Sequence, residues 1–331
     1  MKTRLIALSI ASAFSMSANA LTIAENENGD SVSLYGGAEI GGWVSNKAPK
    51  GTKNSSNYVD DSFATIGIKG QTGDFYAKFE LDAERTPWTN ENNMRVVIDK
   101  AYIGYNVAPN HSIEFGRTDT AYDHFDSLGD FSVNEAAEVS EAGDQDNTVK
   151  YQGQFESIKY GISYSAKGDD YEADFKPTYD KNGKLIAIED KGSYVTDSRY
   201  GAVVNGYVGY FGNDLTVLFG AETVDDRGEI YSLHTKYNFG DFALGGLYSY
   251  SDRLNSNKDS HTYVASGSYH FTDKLEGVST FSYVDNESKD NDSWVTAGVN
   301  YKYTRNVKLS AEAVTGGKAG TYAYAKAYYW F

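Results

Sequence analysis

Sixteen segments of roughly ten residues alternate apolar and polar side chains with a period of two, and they fill the chain from residue 32 to its end. They cover 32–45, 62–71, 74–84, 95–106, 111–117, 148–153, 157–166 and 200–210. The series continues at 214–221, 229–239, 241–251, 260–271, 274–284, 293–303, 306–314 and 321–331. Period two belongs to a strand whose faces meet different surroundings. The connections alternate as well. Short ones lie at 72–73, 108–110, 212–213, 240, 272–273 and 304–305. Longer ones lie at 46–61, 85–94, 118–147, 167–199, 222–228, 252–259, 285–292 and 315–320. A tilted strand of about ten residues crosses a bilayer, and short turns on one side with long loops on the other are the pattern of a membrane barrel. The fold expected is all-β: a sixteen-stranded antiparallel transmembrane β-barrel with its long third loop folded into the lumen.

Parity alone leaves a secreted sandwich open. Tyr231, Leu233, Thr235, Tyr237 and Phe239 form one mainly apolar face, with Ser232, His234, Lys236 and Asn238 on the other. Phe75, Ala77, Phe79, Leu81 and Ala83 oppose Tyr76, Lys78, Glu80, Asp82 and Glu84 in the same way. The even strand count, the paired connection lengths and the aromatic load decide for the membrane. Tyr alone numbers 28, and its apolar ring with a wet hydroxyl suits a bilayer interface. After Phe14 no run of 18 apolar residues offers a membrane helix. All four prolines, Pro49, Pro87, Pro109 and Pro177, fall in expected connections.

The chain begins with Lys2 and Arg4, an apolar run from Leu5 to Phe14, and Ala18-Asn19-Ala20. That order reads as a secretory signal peptide over 1–20, leaving a single barrel domain over 21–331. The formal net charge of −16 becomes −18 once the two leader cations are gone. Such acidity excludes nucleic acid as a partner. Cysteine is absent, so no disulfide is available.

The longest early connection holds the clearest functional signal. Between 118 and 146 lie Asp119, Asp123, Asp126, Asp130, Glu135, Glu138, Glu141, Asp144 and Asp146, with no Lys or Arg among them. Tyr122, Phe125, Leu128, Phe131 and Val133 give it more apolar anchors than a solvated tail needs. The expectation is a loop turned into the lumen, with Asp126, Asp130, Glu135 and Glu138 at its narrowest point. An acidic loop outside the barrel has the same sequence, so placement stays open. The inward parity of Lys69, Lys78, Glu80 and Asp82, together with Arg117 at the loop root, makes these the candidate wall, and Asp99 on the fourth strand is a further candidate whose inward facing stays open.

In this order the motifs resemble those of the general trimeric porins of Gram-negative outer membranes, over the whole length after residue 20. The matching residues are Leu34-Tyr35-Gly36, Ile66-Gly67-Ile68-Lys69-Gly70, Ala101-Tyr102-Ile103-Gly104 spaced to Gly116-Arg117, and a terminal Phe331 as assembly signal. The resemblance implies a passive diffusion channel, a homotrimer, and outer-membrane lipid and lipopolysaccharide as surroundings. Small hydrophilic solutes and ions are its cargo, and no cofactor is involved. It also implies a basic ladder opposite the third loop, and here the chain departs from the pattern. The matching positions read Gly37, Thr65, Asp99 and, by a looser match, Gln145, with Lys100 replacing Asp99 if the fourth strand is shifted by one. An acidic loop facing a thinned basic wall predicts cation preference. Gly36, Gly37, Gly41 and Gly42 on the first strand are expected to let neighbouring barrels approach closely.

No catalytic or metal motif competes with this reading. His111, His124, His234, His261 and His270 are scattered without ligand spacing, and no G-x-S-x-G elbow occurs. The 285–292 loop resembles a calcium loop but lacks the Gly and Glu that its geometry requires. Asn182-Gly183 marks a hairpin inside the 167–199 loop. That loop supports the alternatives of a surface adhesin or receptor, and a solute-specific channel is the other.

Overall fold

A computed structural model describes residues 20–45, 58–85, 94–133, 139, 141–166, 175–179, 185–190, 201–225, 228–253, 258–286, 291–317 and 320–331. The strands among them are β1 (Leu21–Glu25), β2 (Ser31–Ser45), β3 (Tyr58–Asp60), β4 (Phe63–Thr72), β5 (Phe75–Arg85), β6 (Met94–Ala108) and β7 (His111–Asp119). Then come β8 (Asp144–Phe155), β9 (Ile158–Ser165), β10 (Phe175–Tyr179), β11 (Leu185–Asp190), β12 (Val203–Phe211) and β13 (Leu215–Val224). The series closes with β14 (Gly228–Phe239), β15 (Phe242–Arg253), β16 (Lys258–His270), β17 (Leu275–Asn286), β18 (Asp292–Thr304), β19 (Val307–Gly316) and β20 (Tyr322–Trp330).

Sixteen of these, β2, β4–β9 and β12–β20, make one closed antiparallel wall. Closure joins β2 to β20, from Gly37 opposite Trp330 to Ser45 opposite Tyr322. Phe331 extends the seam: its N–H donates to the Gly36 carbonyl at 2.9 Å, and Gly36 N–H returns a bond to Phe331 at 3.2 Å. No ladder edge is left facing lipid along this seam.

Four strands lie outside the expected set. β1 pairs with β2 at residues 31–34, on the same edge that β20 occupies higher up. β3 prolongs the β4 side of β2, pairing at Gly42–Val44. β10 and β11 pair as the hairpin expected around Asn182-Gly183, whose turn lies outside the described residues. Pro177 is therefore in a strand and not in a connection, a correction. A two-stranded ribbon is all edge, so its missing N–H breaks no second ladder.

The faces settle the parity question. On β14, Tyr231, Leu233, Tyr237 and Phe239 are all well exposed, while Ser232 and His234 are buried toward the lumen. Ile40, Phe75, Phe79, Ile103, Phe219, Leu244, Phe281 and Leu309 repeat the outward exposure on other strands. A soluble protein does not present an apolar band of this extent to water; lipid is its solvent. Aromatic contacts fall at two levels. Near the short turns, Phe242 packs on Tyr269 at 4.4 Å and on Phe239 at 5.5 Å, and Phe75 on Tyr105 at 4.7 Å. Toward the loops, Tyr231, Tyr250, His261 and Tyr263 form a second run. Tyr231 and Phe239 stand eight residues apart on β14, about 26 Å along a strand and about 20 Å along the normal at a tilt of about 40°.

A β-bulge resolves the register of β6. Glu80 pairs with Lys100 and Leu81 with Ile98, so Asp99 has no partner across the ladder. The extra residue turns both Asp99 and Lys100 inward, and Lys100 Nζ stands 3.1 Å from Asp99 Oδ2. The choice between Asp99 and Lys100 was a false one.

Candidate functional site

The third loop leaves β7 after Asp119 and re-enters the wall at Asp144, so Asp119, Asp144 and Asp146 belong to strands. Its course is fixed by bonds to inward side chains of the opposite wall. Ala121 N–H donates to Ser163 Oγ on β9 at 3.0 Å, and Tyr122 N–H to Asn205 Oδ1 on β12 at 2.7 Å. The Tyr122 hydroxyl bonds Ser232 and His234 on β14. His234 Nδ1 also meets the Leu128 carbonyl at 2.6 Å. Further along, Phe131 N–H donates to Ser266 Oγ on β16 at 3.2 Å, and Val133 N–H to Glu312 Oε2 on β19 at 2.7 Å. On the return, Ala142 N–H donates to Glu222 Oε2 on β13 at 2.9 Å. The segment therefore lies inside the barrel, laid along β9–β19.

Its apolar residues face that wall. Ala121, Tyr122 and Val139 pack with Tyr207, Leu218, Ile230, Leu247 and Val264, and Phe125 and Leu128 join them. The Phe125 ring centroid is 4.6 Å from that of Tyr207 and 5.5 Å from that of Phe211. Tyr122 and Leu218 are fully buried. Each such side chain contributes about 1.5–3 kcal/mol through burial. The apolar inner surface of β12–β16 is thus covered by the loop, which leaves the β20, β2, β4, β5 and β6 side as the open passage.

The root of the loop is an ion cluster. Lys100 pairs with Asp99, Asp119 and Asp144. Asp119 also stands 3.2 Å from His124 Nε2, and Asp123 is 3.8 Å from His124 Nδ1. The hydrogen bond that His124 donates to Asp119 raises the imidazole above its ordinary value. Glu141 accepts from Thr120 Oγ1 at 2.9 Å and Gly143 N–H at 2.7 Å. Burial, then the charge of Asp123, pushes its carboxyl well above the usual range. Below this cluster Lys150 pairs with Glu114 at 2.9 Å and donates to Thr118 at 3.0 Å.

The wall of β5 and β6 is also acidic. Glu80, Asp82 and Asp99 lie within reach of one another on β5 and β6. Lys78 is 3.3 Å from Glu80, and Lys326 on β20 is 2.9 Å from both Glu39 and Asp61. Lys69 sits over the Tyr35 ring at 4.7 Å, and Lys78 over the same ring at 5.4 Å. Apart from Lys69, each lysine named here already carries a carboxylate partner. No basic ladder forms among the described residues.

Several expected site residues change role. Asp130 is turned to the wall, where Thr280 Oγ1 donates to it at 3.0 Å. Arg117 donates to the Ile98 carbonyl at 2.6 Å and pairs with Asp146 at 3.3 Å, which ties it to the strand junction. Glu135 and Glu138 lie outside the described residues. Asp119 and Glu141 are held within the root, while Asp123 and Asp126 are half-exposed. Glu39, Asp61 and Lys326 were missed, although Lys326 is the one charge in a terminal strand of Ala and aromatic residues. The glycines of β2 serve their own chain: Trp330 lies where a Gly37 side chain would project, Phe331 stands beside Gly36, and backbone of Ala325 and Val59 crowds Gly41 and Gly42.

Known proteins place this architecture. A solved OmpF of Salmonella typhi, in complex with daunomycin, superposes with a TM-score of 0.67 at 15% identity, covering 94% of this chain and 100% of its own. The trimer form of OmpT from Vibrio cholerae gives 0.64 at 15%, covering 91% and 99%. An anion-selective porin from Comamonas acidovorans gives 0.61 at 14%, covering 91% and 100%. No curated protein sequence matches the chain. A family model for Gram-negative porins matches residues 7–317. The chain belongs to the Gram-negative porin family.

Proposed function

We propose that the chain is a cation-preferring diffusion channel for ions and small hydrophilic solutes, inserted in the outer membrane after removal of residues 1–20. The carrying observation is the charge of the passage. Asp123 and Asp126 are half-exposed on the loop, Glu80, Asp82 and Asp99 line β5 and β6, and Lys78, Lys100 and Lys326 are each paired with a carboxylate. The Debye length is about 8 Å at physiological salt, so both walls act on an ion between them. One carboxylate about 4 Å from a cation is worth about 1 kcal/mol even in bulk water, a few-fold in local occupancy. The anion-selective Comamonas porin has the same fold; the side chains, not the barrel, set the sign. Passage needs no catalytic step: the buried contact of Tyr122, Ser232 and His234 anchors the loop and is closed to a substrate.

The assembly read from this is a homotrimer, as in the OmpT trimer form. Its interface falls where outward side chains are small: Ala38 on β2, Ala311 and Ala313 on β19, and Ala323, Ala325 and Ala327 on β20. The aromatic belt of β14–β17 then faces lipid and lipopolysaccharide. Reversal potentials in a potassium chloride gradient test the selectivity. Potassium should be favoured, with the preference shrinking at high salt and below about pH 4. A D82N/D99N/D123N/D126N variant should lose most of it. Anion preference at low salt and neutral pH would overturn the reading, and a monomer in mild detergent would remove the trimer.

A further inference from the structure

The root of the third loop gathers one imidazole and two carboxylates within reach of a single ion. Asp119 closes β7, and Asp123 and His124 open the one-turn 3₁₀ helix Asp123–Phe125 that follows it. That turn is held from behind. Tyr122 is fully buried against β14, and Phe125 packs on Tyr207 at 4.6 Å and on Phe211 at 5.5 Å. The residues between these two anchors, Asp123 and His124, turn away from the wall, and the His124 side chain is 63% exposed. One ligand atom from each of Asp119, Asp123 and His124 lies within 4.8 Å of the other two. His124 has no second histidine at ligand spacing. Its partners are carboxylates that the turn brings together, so spacing along the sequence passes over them.

The distances suit a small divalent cation. His124 Nε2 stands 3.2 Å from Asp119 Oδ2. Two ligands of a tetrahedral zinc, each about 2.0–2.1 Å from the ion, are about 3.3 Å apart. Lys100 takes the other oxygen of Asp119, Oδ1, so Oδ2 is left to the imidazole. Asp123 Oδ2 is 3.8 Å from His124 Nδ1, and rotation of this half-exposed side chain brings a carboxylate oxygen to the third position. Charge points the same way. Asp99, Asp119 and Asp144 share Lys100, Asp123 pairs with no Lys or Arg among the described residues, and the next cation, Lys150, is held by Glu114. The nitrogen ligand selects the kind of ion. Magnesium and calcium are bound through oxygen, whereas zinc accepts imidazole together with carboxylate.

We propose that Asp119, Asp123 and His124 form a binding site for one divalent cation of the zinc type per subunit. The bond between His124 and Asp119 is then replaced by a bond from each to the ion, and any proton the imidazole carries is released to solvent. Three protein ligands leave the fourth position to water from the passage. The bound ion ties the 3₁₀ turn to the end of β7 and offsets the charge of two carboxylates, so it steadies the loop root. Binding requires the docked loop but not conduction, so the site survives or fails separately from the channel reading.

The test titrates zinc chloride into the intact barrel in mild detergent at neutral pH, with magnesium in large excess, and reads binding by calorimetry. One zinc per subunit, bound at micromolar concentration despite the magnesium, is expected. H124Q and D123N change side chains on the solvent side of the loop, so each should leave a heat-modifiable barrel and each should abolish this binding. H270Q, beside the single carboxylate of Glu276 at the short-turn rim, should leave it unchanged. In planar bilayers the same zinc concentration should quieten the open level of the wild type and not that of H124Q. No zinc bound by the wild type, displacement of zinc by magnesium, or undiminished binding by both H124Q and D123N overturns the site. Binding lost in H270Q but kept in H124Q also overturns it, and equal quietening of H124Q overturns its hold on the loop.

Discussion

Truncating Tyr122 to Ala should release the third loop while sparing the barrel. Tyr122 is fully buried, its ring centroid lies 5.6 Å from that of His234, and its hydroxyl bonds both Ser232 and His234. Removing a buried aromatic costs about 3–5 kcal/mol, and stranding the buried polar groups of β14 adds about 1–3 kcal/mol. Almost none of this falls on the wall, whose ladders do not involve the residue. It falls on the docked loop, and 3 kcal/mol at about 1.4 kcal/mol per decade moves that equilibrium more than about 100-fold. Single-channel recordings of Y122A in planar bilayers should show a larger, noisier open level. Gly220 supplies an independent check, because a Cβ there would stand 2.5 Å from the Tyr122 ring. G220A should resemble Y122A, and the double variant should add little to either, as expected of residues in contact. A Y122A channel with wild-type conductance and noise, or fully additive effects of the two changes, would refute the idea that this contact holds the loop.

Three further outcomes are expected. The docked Glu141 carboxyl is raised, by burial first, so the docked loop binds a proton that the free loop sheds; docking is then strongest at low pH and weakens as pH rises past the ordinary value of 4.5. Asp123, raised by burial, and His124, raised by its bond to Asp119, act in the same direction, so open-channel noise should grow with pH and E141Q should shrink that slope; an unchanged slope in E141Q speaks against the linkage. K100M leaves Asp99, Asp119 and Asp144 without their shared cation and should cost about 3–5 kcal/mol, visible as a lower heat-modifiability midpoint on gels, with K100R close to wild type. Deleting Phe331 removes two seam bonds to Gly36 and should leave unfolded protein in the periplasm; normal barrel in the outer membrane would count against its role in assembly.

The strands were legible because period two survives wherever one face meets lipid and the other water, and all sixteen were found to within a few residues at their ends. What escaped was whatever breaks that period or lacks it. The bulge at Asp99 adds a residue, so counting from either side gives a different inward position, and only the pairing of Glu80 with Lys100 reveals that both counts hold. β1 is five residues long, too short to show alternation. In the loop, composition marked an anchored acidic segment but not the facing of each carboxylate. Asp130 reads like Asp126, yet its orientation is decided by Thr280, 150 residues away. The glycines of β2 misled for a related reason: a missing side chain announces crowding but not who crowds it.

The inlaid loop also has a mechanical consequence. A tube of sixteen strands encloses no packed core, and along its circumference only hydrogen-bond ladders resist flattening. The third loop crosses that hollow section and is fastened on its far side at β9, β12, β14, β16, β17 and β19. It behaves as a stiffening rib glued to nearly half the shell, so the strands it spans cannot change their mutual angle without breaking several of its fastenings at once. The unribbed side, at β20, β2, β4 and β5, lacks these fastenings, and it is there that the passage is freest to change width.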